Sequence, residues 1–240
     1  MKWQDLAAPE RKREFNRQLF TEVAGEYDFI TRALSFGRDA AWKQQLIAAL
    51  PAWERPSCVD LACGTGDLTR LLARRYPQAS VLGLDLTEPM LELARARSSE
   101  PNVRYVQADI GATGLAAGSV DIVTGGYALR NAPVLETALG EVYRILRPGG
   151  VGAFLDFSKP PTRGAQRMEL ALLKLWGGCW GWLLHRNPQV YIYIAESLRR
   201  HPDRRQFHAI IEHTGFRLTE SFRFFGGITE LVVFQRTMGE

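Results

Sequence analysis

Asp60, Asp85 and Asp109 each stand in or at the end of a short apolar run. The first opens a glycine-containing turn, Asp60-Leu61-Ala62-Cys63-Gly64-Thr65-Gly66-Asp67. Glycines at 64 and 66 allow a tight turn and a close backbone approach to a ligand. A dinucleotide-binding turn wants a third small residue three positions after Gly66, and Thr69 stands there instead. Asp60 would also repel a pyrophosphate. A carboxylate suits a ligand whose methionine part carries an ammonium and a sulfonium, so the turn points to S-adenosylmethionine. Asp85 follows Gly66 by 19 residues, where a carboxylate can accept from both ribose hydroxyls. Asp109 is placed for the adenine amino group. Gly64, Thr65, Gly66, Leu86, Ile110 and Gly126, at the same strand ends, complete the expected cofactor set. An acid at a strand end can instead serve the next helix, and Thr87 reads as a helix cap before Met90. Three acids beside one crevice favour the ligand.

These residues need a sheet to hold them. Strands are expected at 57–62, 81–86, 103–108, 120–125 and 151–157, several of them near-continuous apolar runs of the kind covered on both faces. Between the fourth and fifth, Leu135, Ala138, Leu139, Val142, Ile145 and Leu146 fall on one helical stripe, which Pro148 and two glycines should stop. Strand–helix alternation implies right-handed crossovers and a parallel sheet. At the far end, 216–225 and 228–237 are separated only by Gly226-Gly227, too short for a crossover, so they should form an antiparallel hairpin. The expected fold is a single Rossmann-like α/β domain over 1–240 with a seven-stranded, mostly parallel sheet. Helices occupy about 1–50, with Trp42, Leu46, Ala49 and Leu50 on one stripe. The cofactor core spans about 57–160, a helical insertion about 161–200, and the last helix and hairpin about 201–240.

Composition agrees with one sizeable core: 46% of residues are hydrophobic and 23% charged. Cys58, Cys63 and Cys179 are odd in number, and no secretory leader opens the chain, so a reducing cytoplasm is the expected setting. Cys58 and Cys63 lack a matching Cys/His pair and read as buried hydrophobes, so no metal is expected. The net charge of +4 gathers around Arg11-Lys12-Arg13 and from Arg199 to Arg205. These clusters read either as solvated helix faces or as attraction to phosphate, nucleic acid or an anionic membrane.

With these motifs in place, the chain resembles the ubiquinone/menaquinone biosynthesis C-methyltransferase family over nearly its whole length. The likeness rests on Val23-Ala24-Gly25-Glu26-Tyr27-Asp28 through Leu34-Ser35-Phe36-Gly37 and Trp42-Lys43, on Asp60 through Leu68, and on Ala128-Leu129-Arg130-Asn131. Asp156-Phe157-Ser158-Lys159-Pro160 and Tyr193-Ile194-Ala195-Glu196-Ser197-Leu198 with His201-Pro202-Asp203 extend it. Thr31 stands where the family usually has Asn, Asp156 where it commonly has Glu, and 224–235 diverges. The resemblance implies a class I methyltransferase acting on a ring carbon of a polyprenylated quinol. On that reading Arg130 stabilises phenolate charge, Asn131 positions the ring and Asp156 is the base. Tyr27, Tyr127, Tyr191 and Tyr193 would line the acceptor pocket. Arg130 paired with a structural acid and Asp156 capping a turn are the plainer alternatives, and His201 reads as structural.

The insertion, with Trp176, Trp180, Trp182, Leu183 and Leu184, would wall a channel for an isoprenoid tail, form a homodimer interface, or rest on the inner face of a membrane. Glycines, Lys174 and His185 interrupt it too often for a transmembrane span. A methyltransferase of another phenolic metabolite, acting on O or C, remains the alternative. Gly126-Tyr127-Ala128-Leu129 replaces the Asn/Asp-Pro-Pro-aromatic motif of base methyltransferases, which counts against nucleic acid.

Overall fold

The computed structural model describes residues 8–238. The parallel core follows from buried apolar runs that can pair only when helices cover both faces. It comprises β1 (Ser57–Leu61), β2 (Ser80–Asp85), β3 (Val103–Gln107), β4 (Val120–Gly126) and β5 (Leu146–Phe157). The hairpin expected at the end of the chain forms β6 (Phe216–Phe224) and β7 (Thr229–Arg236). Strand order is β3-β2-β1-β4-β5-β7-β6, with β7 antiparallel to both its neighbours. The hairpin turn depends on glycine: Gly226 and Gly227 have φ of 67° and 104°.

One boundary differs. The strand expected at 151–157 begins at Leu146, and the helix before it ends at Ile145, ahead of Pro148. Val120 pairs with Leu146 and Ile122 with Val151, so residues 147–150 form an irregularity inside the strand rather than a separate turn. Gly149 takes φ 77°, and a Cβ on Gly150 would lie 2.9 Å from the Arg147 carbonyl.

The nine helices found among the described residues divide into two groups. Helices α4 (Asp67–Arg75), α5 (Glu88–Arg97), α6 (Leu135–Ile145) and α9 (Arg204–His213) pack on the sheet with α3 (Asp39–Ala48). Trp42, Leu46 and Leu50 join the core on one face, while the α6 stripe joins Phe154, Phe207 and Phe234 on the other. The second group is α1 (Pro9–Glu22), α2 (Tyr27–Leu34), α7 (Arg163–His185) and α8 (Gln189–Arg200), which make separate small clusters above the carboxyl ends of the strands. Of the N-terminal helices, only α3 lies on the sheet. The apolar side of α1 is short, and its Phe15 and Leu19 meet Tyr193 on α8 instead. Helices α7 and α8 pair tightly because Gly177 and Gly181 let the backbones close: a Cβ there would meet Tyr191 O at 2.8 Å or Asn187 O at 2.7 Å. No helix among the described residues is long and apolar enough to cross a membrane.

Candidate active site

Strand order reverses between β1 and β4, and the crevice at that switch is where open α/β sheets bind ligands. Gly64, Asp85, Leu86, Asp109, Ile110, Gly126 and Tyr127 all line it. Two crevice residues, Ala62 and Tyr127, hold left-handed backbone at φ 50° and 57°. Such positions are costly for residues with a Cβ and tend to gather at working sites. Asp85 is pinned from behind: Oδ2 accepts from Gly64 N at 2.9 Å, and Oδ1 from Thr87 N and Oγ1, each at 2.9 Å. A carboxylate offers about four acceptor positions, so about one is left for a ribose hydroxyl, not the two expected. Burial pushes Asp85 above the usual carboxylate range despite these donors. Thr87 does occupy the N-cap of α5, but its hydroxyl donates to Asp85 and caps nothing.

Three of the expected cofactor residues lie elsewhere. Asp60 is 1% exposed and faces away from the crevice, its oxygens accepting from Thr69 Oγ1 at 2.7 Å and Thr124 Oγ1 at 2.9 Å. Burial raises it to about 6. It props the turn from beneath. Thr65 donates to Asp28 Oδ1 at 2.6 Å. Gly66 begins α4 with φ 84°, and a Cβ there would strike Tyr105 Oη at 2.5 Å. Packing, not ligand contact, demands that glycine.

Asp109 lines the crevice, but Arg13 of α1 pairs with its Oδ2 at 2.7 Å while Oδ1 accepts from Gly111 N. Two further α1 side chains hold that helix across the opening. Lys12 Nζ donates to the carbonyls of Arg130 and Ala132, and Asn16 Nδ2 to that of Asn131. The crevice so covered encloses about 70 Å³, less than a nucleoside-sized ligand occupies. The remaining features fit S-adenosylmethionine: a carboxylate facing in, two positions without Cβ atoms at Gly64 in the turn after β1 and Gly126 at the end of β4, and apolar Leu86 and Ile110 beside them. When bound, it supplies an electrophilic methyl group.

A second cavity, about 320 Å³, adjoins the first, and Phe20, Tyr27, Tyr127 and Asn131 line both. All four expected tyrosines lie on this larger wall, with Arg130 and Asn131. Burial lifts Tyr27 to about 12, keeping its phenol protonated. Tyr193 Oη stands 2.5 Å from Asn16 Oδ1 and 3.0 Å from Asn131 Oδ1, and Asn131 Nδ2 donates to Tyr127 O. Arg130 is 4% exposed; its Nε donates to Asp156 Oδ1 at 3.3 Å, its backbone N–H to Oδ2 at 3.0 Å, and its Nη1 to Ser197 Oγ. Asp156 lines neither of these two cavities and also accepts from Phe157 N. Its expected role as base finds no support in this geometry: it faces neither cavity, and both oxygens already serve Arg130 or the backbone. It holds the guanidinium in place.

Sequence reasoning missed several residues. Lys43 is buried between Asp39 at 2.6 Å and Asp67 at 3.1 Å, which raises its pKa, and Asp39 accepts from Tyr127 Oη at 2.8 Å. The Trp42-Lys43 signature was the available hint. Of the insertion's tryptophans, Trp176 lines the larger cavity, Trp180 packs on Phe29, and Trp182 is exposed outside it, as is Leu183. Leu172, Leu173 and Leu175 form the channel wall in their place. Much of the basic clusters is paired internally: Arg199 and Arg200 with Glu196, and Arg204 with Glu230. His201 is buried and pushed down to about 3, a structural neutral imidazole.

This strand order, with a ligand crevice at the β1–β4 switch, is that of the class I S-adenosylmethionine-dependent methyltransferases. Solved structures agree on the fold. A Haloferax volcanii methyltransferase in complex with the Trm112 activator superposes with a TM-score of 0.69 at 17% identity, covering 91% of this chain and 97% of that one. An S-adenosylmethionine-dependent methyltransferase from Mesorhizobium loti gives 0.60 at 23%, over 82% and 98%. The profile of the ubiE/COQ5 methyltransferase family matches residues 8–233, and the chain belongs to that family. It is thus an S-adenosylmethionine-dependent methyltransferase. Among its relatives are the 2-phytyl-1,4-naphtoquinone methyltransferase of Thermosynechococcus vestitus and the demethylmenaquinone methyltransferase of Thermus thermophilus. Both are 35% identical, over 91% and 87% of this chain and 97% and 96% of theirs. A ubiquinone/menaquinone biosynthesis C-methyltransferase from Escherichia fergusonii is 32% identical over 93% of this chain and 91% of its own.

Proposed function

We propose that this enzyme methylates a ring carbon of a lipid-tailed quinol, with the head group at the junction of the two cavities and the tail in the larger one. One observation carries the reading. The larger cavity is walled mainly by apolar side chains, and Phe36, Leu172, Leu175, Trp176 and Phe225 both line it and stand exposed at its outer end. A soluble polar acceptor has no use for such a mouth, whereas an isoprenoid tail is stabilised by it. The relatives named above, by their names, act on naphthoquinones and menaquinone or ubiquinone precursors.

Arg130, fixed by Asp156 and Ser197, offers positive charge to a phenolate at the cavity wall. Asn131, between the cavities, positions the ring edge. Tyr27 and Tyr127 close the junction against water, which both orients the reactants and strengthens the electrostatics. Met168, Trp182 and Leu183 are further exposed apolar side chains on α7 and support peripheral contact with a lipid surface. The experiment is carbon NMR of product made from a demethyl quinol and a labelled methyl donor. An aryl-methyl resonance is expected; a methoxy resonance would move the enzyme to phenolic oxygen.

A further inference from the structure

Glu169 lies on α7 and is 5% exposed on the wall of the larger cavity. Its Oε1 is buried without a hydrogen-bond partner. Buried carboxylate oxygens with no donor are rare, and a catalytic role is one of the few things that retains one. Several other polar groups around the cavity have partners. Arg130 is tied to Asp156 and Ser197, Asn131 to Tyr127 and Tyr193, Tyr127 to Asp39, and Tyr191 to His185. Glu169 is the sole acid among the described residues lining this space. With Asp156 turned to Arg130, it is also the sole carboxylate there able to accept a proton from a bound molecule.

We infer that Glu169 is the general base that takes the hydroxyl proton of the acceptor, an assignment that rests on the phenolic acceptor proposed above with its hydroxyl turned from the junction into the larger cavity, which Arg130 and Glu169 both line. Ionised Glu169 accepts the proton, and the oxygen's electron pair moves into the ring. The ortho carbon attacks the sulfonium methyl, and the carbon–sulfur pair leaves with sulfur. The ring carbon then loses its hydrogen to water as a proton, and Glu169 returns its own proton to the oxygen. One proton is released for each methyl transferred.

The surroundings set where this works. Burial pushes Glu169 up to about 8, against the pull of Arg204 on α9 and Lys159 after β5. On the facing α8, Glu196 is already held by Lys174 and Arg199, and in the 129–131 turn Arg130 is held by Asp156. The carboxylate must be ionised to accept, so activity is lost as pH falls through about 8. Near that value the base is close to its best compromise between strength and ionised fraction.

The test uses the full chain with a short-tailed demethyl naphthoquinol kept reduced. Glu169→Gln preserves shape and should lower kcat at least about 100-fold, the scale of lost general-base catalysis. S-adenosylmethionine affinity by calorimetry should stay within about twofold, because Glu169 does not line the cofactor crevice. The variant's residual rate should keep climbing toward the phenol's own pKa near 10, whereas the wild type levels off above about pH 8. Glu169→Asp should keep the wild-type pH limb at reduced kcat. A binding measurement without methyl donor adds a second readout: affinity for the methylated product should strengthen through about pH 8 in the wild type and stay flat in Glu169→Gln. A wild-type enzyme inert toward every demethyl quinol would overturn the acceptor and, with it, this assignment. An active wild type beside a Glu169→Gln variant of equal rate and unchanged pH profile would overturn Glu169 alone.

Discussion

The cofactor crevice and the acceptor cavity share a wall but are built by different means. The crevice is assembled from strand ends, so Gly64, Asp85, Asp109 and Gly126 come together because four parallel strands stop at one level. The acceptor cavity is assembled mainly from α1, α2, α7 and α8 with the two turns at 129–131 and 225–227, and meets the sheet only at strand ends such as Phe157 and Thr229. Its polar groups are held by contacts between distant segments, such as Asn16 with Asn131 and Arg130 with Ser197. A ligand site fixed by a sheet is rigid and general, while one fixed by helices above it is free to fit a particular acceptor.

The sharpest way to break this comparison is at the junction. Asp156→Ala leaves Arg130 buried without its counter-charge and should cost about 3–5 kcal/mol of stability in urea unfolding. Asp156→Asn should be milder, because the amide oxygen still accepts from the Arg130 backbone. A fully stable Asp156→Ala variant, with normal unfolding, would mean that Arg130 is not anchored as described.

On the crevice side the expected effect is on binding. Asp85→Ala should weaken S-adenosylmethionine by about 1.5–3 kcal/mol, roughly 10- to 150-fold in Kd by calorimetry. Arg130→Ala should leave that Kd nearly unchanged while cutting turnover about 100-fold, since it lines only the acceptor side. Equal losses of cofactor affinity in both variants would merge the two regions into one.

Much of the sheet was legible because its signals are local. Apolar runs bounded by turn residues marked all seven strands, and two glycines between the last pair required a hairpin. The crevice followed from acids at strand ends, although which way each carboxylate turns did not. Asp60 faces Thr69 and Thr124 because β1 alternates sides, and no spacing rule distinguishes that from a ligand contact. The acceptor tyrosines came through family resemblance alone. Glu169 was hidden for a physical reason: an acid in a Leu-rich helix reads as a solvated face until tertiary packing buries it. The cover formed by α1 was equally hidden, since Lys12, Arg13 and Asn16 reach partners about a hundred residues away.

The central claim is that the larger cavity receives an isoprenoid tail. Each buried methylene contributes about 0.8 kcal/mol, so one five-carbon unit can add several kcal/mol before ordering costs. The direct measurement is kcat/KM for demethyl quinols that differ only in tail length, each kept reduced during turnover. Efficiency should rise steeply over the first one or two isoprene units and then level off as the tail passes Trp176 and Phe36 at the mouth. Equal efficiency for the tail-less head group and the prenylated quinols would contradict the claim and return the cavity to a soluble phenol.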